Sequence, residues 1–120
     1  MLHPNESARI SHSFTADAAY APGTRMKMSG TFGILTVAGD EAHVGTLLER
    51  TYAAGDPAPL YHNNATGTFA YIANGAIAQG AQVSSVAAGK VQTGTGGAVD
   101  LGIALNAAAA DGDVIEVLPL

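Results

Sequence analysis

Ala78-Gln-Gly-Ala-Gln-Val-Ser-Ser-Val86, Gly89-Lys-Val-Gln-Thr93, Val99-Asp-Leu-Gly-Ile-Ala-Leu105 and Val114-Ile-Glu-Val-Leu118 follow one another down the last third of the chain. Each short run is rich in Val, Ile or Leu and is stopped by Gly, Asn or Asp. β-branched residues suit a pleated, half-buried surface, and the stopping residues supply turn conformations, so the pattern predicts short strands joined by tight turns. No catalytic constellation lies within it.

The same spacing recurs upstream. Gly23 and Gly80, Gly45 and Gly102, Gly55 and Gly112, and Asp56 and Asp113 each stand 57 positions apart. Around them Val44-Gly-Thr-Leu-Leu48 overlies Leu101-Gly-Ile-Ala-Leu105, and Phe14-Thr15 overlies Tyr71-Ile72. Gly supplies turn positions that other residues resist, so a repeated glycine spacing implies a repeated turn pattern. The competing explanation is abundance, because Ala and Gly are frequent in this chain. The division expected is one β-rich domain over 1–120, with an arm at 1–11 and repeat halves at 12–63 and 68–120.

Further strands are predicted at Thr24–Met28, Phe32–Val37 and Thr68–Ile72, and an edge at Ile10–Phe14. In Arg25-Met-Lys-Met28 the alternation sets Met26 and Met28 on the core face and Arg25 and Lys27 outside. Ala42–Arg50 fits a strand by comparison with Val99–Leu105, although Thr46-Leu-Leu-Glu49 has the form of a helix capping box. Ala107–Ala110 has room for one helical turn. About eight short strands with no long helix make an all-β fold, a small barrel or sandwich of two similar halves. Met1–Ser11 is polar, contains Pro4 and shows no apolar periodicity, so it is expected to form an extended N-terminal arm.

Composition removes several classes of function. Charged residues are 12% of the chain, hydrophobic ones 48% and aromatic ones 6%, with a net charge of −5. Only Lys27 and Lys90 are lysines, so the cation cluster that phosphate neutralisation needs is missing, and no nucleic-acid partner is expected. There is no cysteine for a disulfide, thiolate nucleophile or zinc site. No apolar run approaches a membrane span, and the start lacks the cationic and apolar regions of a secretion signal. The expectation is a soluble protein made in a cytoplasm, with no membrane partner; the resemblance described below makes that cytoplasm a bacterial host's.

Motifs for chemistry are equally thin. His3, His12, His43 and His62 lack metal-ligand spacing and are expected at the surface or at an interface. Asp111-Gly-Asp113 begins like a calcium loop, but the twelfth position lies beyond the last residue, which leaves a turn. Gly94-Thr-Gly-Gly97 lacks the Gly-Lys-Ser/Thr of a phosphate loop. No elbow holds a nucleophile beside a base. Neither an enzyme nor a cofactor is expected.

With those residues in view, the downstream half resembles the capsid cement, or decoration, proteins of tailed bacteriophages. The resemblance rests on Ala76-Ile-Ala-Gln-Gly-Ala-Gln-Val83, Gly89-Lys-Val-Gln-Thr93, Leu101-Gly-Ile-Ala-Leu105 with its Ala run, and Gly112-Asp-Val-Ile-Glu-Val-Leu118. It covers about half the chain well. Ala81 and Ser84 depart from it, standing where an acidic residue and an aromatic are common. The resemblance implies a β-rich knob, commonly a homotrimer. Such proteins sit on the capsid exterior at junctions between major capsid protein subunits and stabilise the expanded head. It further implies that the arm reaches an adjacent subunit, with Arg9 and Phe14 as contact residues. A different expectation is a small carbohydrate- or surface-binding β-module, such as part of a phage fibre or a head-attached adhesin. Against it stands the absence of Trp, since sugar platforms need exposed aromatics.

Overall fold

The computed structural model describes residues 13–62, 67–94 and 99–119. They form ten strands, β1 (Thr15–Ala16), β2 (Arg25–Met28), β3 (Ile34–Val37), β4 (Gly45–Leu47), β5 (Leu60–His62), β6 (Phe69–Ile72), β7 (Gln82–Val86), β8 (Lys90–Thr93), β9 (Asp100–Ala104) and β10 (Val114–Pro119). The protein is all-β, and no helix occurs among the described residues. The N-terminal arm and Ile10 to His12 lie outside the described residues.

Two five-stranded sheets result, ordered β1-β3-β2-β4-β5 and β6-β10-β9-β7-β8. Each curls until its first strand meets both ends. In the first, β1 runs parallel to β3 and also bridges Pro57, with Ala58 N–H donating to the Phe14 carbonyl at 2.9 Å. In the second, β6 pairs with β10 and touches β8 where Ala73 bridges Val91. Curling hides strand edges that would otherwise invite foreign pairing. Each ring has its own core. Ala16, Met26, Leu35, Leu47 and Ala58 fill the first. Phe69, Tyr71, Ile77, Val83, Val91, Ile115 and Val117 dominate the second.

The hydrogen bonding of one barrel recurs in the other 57 residues on. Arg25 opposes Thr46 as Gln82 opposes Ile103, and Thr46 opposes Tyr61 as Ile103 opposes Leu118. Tyr20 bridges Thr51 as Ile77 bridges Ala108. The Asp56 carboxylate accepts the Tyr52 and Ala53 amides at 2.8 and 3.1 Å, and that of Asp113 accepts those of Ala109 and Ala110 at 2.9 and 3.1 Å. Asp113 thus caps a turn. The β7–β8 hairpin breaks step, being one residue shorter than β2–β3, so that Gly89 matches Gly33, and the connection from β8 to β9 is one residue longer than that from β3 to β4.

Local rules failed at three places. The expected helical turn at Ala107–Ala110 is absent, because Ala108 exchanges backbone hydrogen bonds with Ile77 at 2.9 and 3.0 Å. Of the two methionines given to the core, Met26 is fully buried but Met28 is 45% exposed. Arg25, assigned to solvent, is fully buried. The last two share a cause. The second barrel covers one end of β2 and leaves the other bare, which period-two alternation cannot encode. Ala42–Arg50 forms a strand at Gly45–Leu47, and its capping-box form is unused.

Candidate functional site

The polar and aromatic side chains that were hardest to read converge where the two barrels meet. The outer face of β4 and β5 carries Thr46 and Tyr61, and β6 packs over it. Tyr61 and Phe69 meet edge to face with centroids 5.0 Å apart, Phe69 stacks on Tyr71 at 5.8 Å, and His43 stands edge-on to Tyr71 at 6.0 Å. A row of four rings therefore crosses the junction. Each such pair adds on the order of 1 kcal/mol beyond the area it buries.

Arg25 closes the far end of this row. Its Nε donates to the Lys90 carbonyl at 3.0 Å, and one terminal nitrogen donates to Val86 and Gly39 carbonyls at 2.6 and 2.5 Å. The other terminal nitrogen reaches the Glu41 carbonyl at 3.4 Å. Val86 and Lys90 belong to the second barrel, Gly39 and Glu41 to the first. The planar guanidinium can serve both because its donors diverge in a fixed fork. Burial pulls its pKa below the ordinary value, with Tyr71, Glu41 and Asp40 acting the other way, yet an arginine stays charged in proteins. Gly89 fits beneath: its N–H donates to Ala38 O at 2.7 Å, and its carbonyl accepts Arg25 N–H at 3.1 Å. A Cβ there would fall 2.7 Å from Thr24 Cγ2 and 2.9 Å from Val37 Cγ2.

His43 is 5% exposed, so it is neither a surface residue nor legible as a junction residue from spacing. Burial, and then the nearby Arg25, lower its pKa from 6.5 to about 4. Burial likewise raises Tyr71 to about 12. A depressed histidine pKa means that the unfolded chain binds the proton more readily. Its stabilising contribution is therefore complete above pH 6.5 and is lost as pH falls toward 4. The expected outcome in urea titrations is a loss of up to about 3 kcal/mol across that window, largely removed in His43→Phe. An unaltered acid profile in that variant would contradict it. The exposed Glu41, held at about 2 by its ion pair with Lys27, titrates only below this range.

A groove of about 340 Å³ opens beside the ring row, lined by Leu48, Tyr61, Ala70 and Val114. A second, of about 360 Å³, lies at Phe14, Glu49, Pro57 and Pro59. Ser13 also lines the second groove. Among the described residues no three His, Asp or Glu side chains stand close enough to hold a metal ion. Of the two contact residues named from sequence, Arg9 lies outside the described residues, and Phe14 packs half-buried on the first core.

Fold and junction together define a class: two small five-stranded β-barrels in tandem, locked by a buried arginine. No known protein-family model matches the sequence, and no curated protein matches it. Among solved structures, the head fibre gp8.5 N base of bacteriophage phi29 superposes with a TM-score of 0.72 at 12% identity. The match spans 92% of this chain and 93% of that one, so the two share one fold almost end to end.

Proposed function

We propose that this protein is a structural component of a phage head, a cement protein bound outside the shell at junctions between major capsid protein subunits. The observation that carries this reading is the near-complete overlap with a protein described as a phage head fibre base. The cement-like motifs of the downstream half point the same way. A surface poor in charge suits a protein held in a lattice, where many specific contacts act together. In this reading the chain self-associates, as a homotrimer, on the virion exterior. The arm Met1–Ser11 with Arg9, and Phe14 beside it, contact the adjacent subunit.

The same overlap favours a second reading, in which the chain is the head-bound base of a fibre or adhesin. The two separate experimentally. Purified protein added to expanded heads lacking it is expected to co-sediment with them and to raise their resistance to heat. Binding without added resistance would favour the fibre base, and no binding would overturn both. Removing Met1–Ser11 is expected to weaken co-sedimentation at least ten-fold. Undiminished binding would remove the arm from the interface.

A further inference from the structure

The repeat makes the junction between the barrels a template for a contact that the single chain leaves open. In the first barrel, Thr46 on β4 and Tyr61 on β5 form the face that the second barrel covers, and Thr46 is 3% exposed. Their counterparts 57 residues on, Ile103 and Leu118, oppose one another on β9 and β10 in the same register. Ile103 is half-buried there. Leu118 is 49% exposed where its counterpart Tyr61 is half-buried, while Leu105, at 39%, and its counterpart Leu48, at 54%, are both exposed. The bare face is more apolar than the covered one, with Ile in place of Thr and Leu in place of Tyr. Solvated faces ordinarily differ the other way, and a contiguous apolar patch marks an interaction surface.

The covering side has its counterpart too. The second barrel docks through Tyr71 and through the tip of the β7–β8 hairpin, where Gly89 meets Arg25 and Ala38. Phe14 is the counterpart of Tyr71. The β2–β3 tip is the counterpart of that hairpin tip and ends on Gly33, which shares with Gly89 a positive φ. It carries Phe32, 83% exposed, and Met28. The molecule therefore presents an exposed apolar β9–β10 face and an exposed apolar β2–β3 tip.

We propose that copies of this chain associate head to tail, the first barrel of one copy docking on the β9–β10 face of the next as the second barrel docks on the first. The occupant of Ile103, Leu105 and Leu118 is thus the Phe14–Phe32 side of a second copy. Such a contact joins two different patches, so it closes into a ring when the rotation permits and otherwise extends as a filament. The association needs no phage head, so it stands or falls separately from head attachment.

Sedimentation of the purified full chain tests it. Wild type is expected to form a concentration-dependent oligomer. Ile103→Glu with Leu118→Glu blocks the receiving face, and Met28→Glu with Phe32→Glu blocks the tip. Each double variant alone is expected to be monomeric, while an equimolar mixture forms a one-to-one dimer, because one intact interface remains. Monomeric wild type, a mixture that stays monomeric, or a tip variant that assembles like wild type would each overturn the proposal. The last of these would mean that the β9–β10 face pairs with itself. The chain has no cysteine, so a cross-link gives an independent reading if a charged variant folds poorly. Phe32→Cys mixed with Gln82→Cys, the counterpart of Arg25, is expected to link under oxidation at least ten-fold more than either alone. Equal linking would count against head-to-tail contact.

Discussion

Gly102→Ala is expected to cost at least about 4 kcal/mol and to leave the second barrel largely unfolded at ambient temperature. Gly102 sits in β9, between Val83 of β7 and Pro119 of β10. A Cβ placed on it would lie 2.0 Å from the Leu118 carbonyl oxygen and 2.8 Å from its carbon, at a φ of +155°. These are backbone atoms on a paired strand, so no rotamer change relieves the clash. Either β10 withdraws from β9 or Gly102 changes conformation, and both break the ladder that closes the barrel. Two other glycines grade the effect. Gly45, its counterpart in β4, would bring a Cβ within 2.8 Å of the Tyr61 oxygen, and Gly45→Ala should cost less. Gly112 has a φ of +94° but nothing within 4 Å, so Gly112→Ala should cost only about 1 kcal/mol. Thermal melts followed by far-ultraviolet circular dichroism give the ranking. A Gly102→Ala protein as stable as Gly112→Ala would mean that β9 and β10 are not paired in this register.

Arg25→Met should be nearly as damaging for a different reason. Methionine keeps much of the stem volume but leaves carbonyls of Gly39, Val86 and Lys90 inside the junction without their donor. Unsatisfied buried groups cost about 1–3 kcal/mol each, and the lost bonds are charge-assisted. A total of about 3–5 kcal/mol follows, equivalent to roughly 10–20 °C in melting temperature for a chain of this size. The form of the transition should change as well. Each barrel has its own core, so losing the link is expected to split one cooperative melt into two. Arg25→Lys should recover less than half of the loss, because a single ammonium cannot reach carbonyls set apart on two barrels. A cost below about 1 kcal/mol for Arg25→Met would show that apolar contact alone holds the barrels together.

Much of this architecture could be read directly from residues, and the reason is that it is local. Gly55-Asp56 and Gly112-Asp113 announce their turns because the carboxylate accepts amides three and four residues back along the chain. Val-, Ile- and Leu-rich runs between such turns have no good alternative to strands. The junction was illegible for the opposite reason. Arg25 and Met26 are neighbours on opposite faces of one strand, and both are buried, one by its own barrel and one by the other. His43 looked like a scattered polar residue because Tyr71, its ring partner, lies 28 positions away.

The residues alone determined an all-β chain of short strands with glycine-set turns in a doubled spacing, since turn and strand preferences act over a few neighbouring positions. Tertiary structure alone decided that the sheets curl into two barrels, that a buried guanidinium joins them, and that Thr46 is covered at the junction while Leu118 on the counterpart face stays exposed. Those outcomes depend on which surfaces meet across dozens of residues, and burial of that kind leaves no period in the sequence.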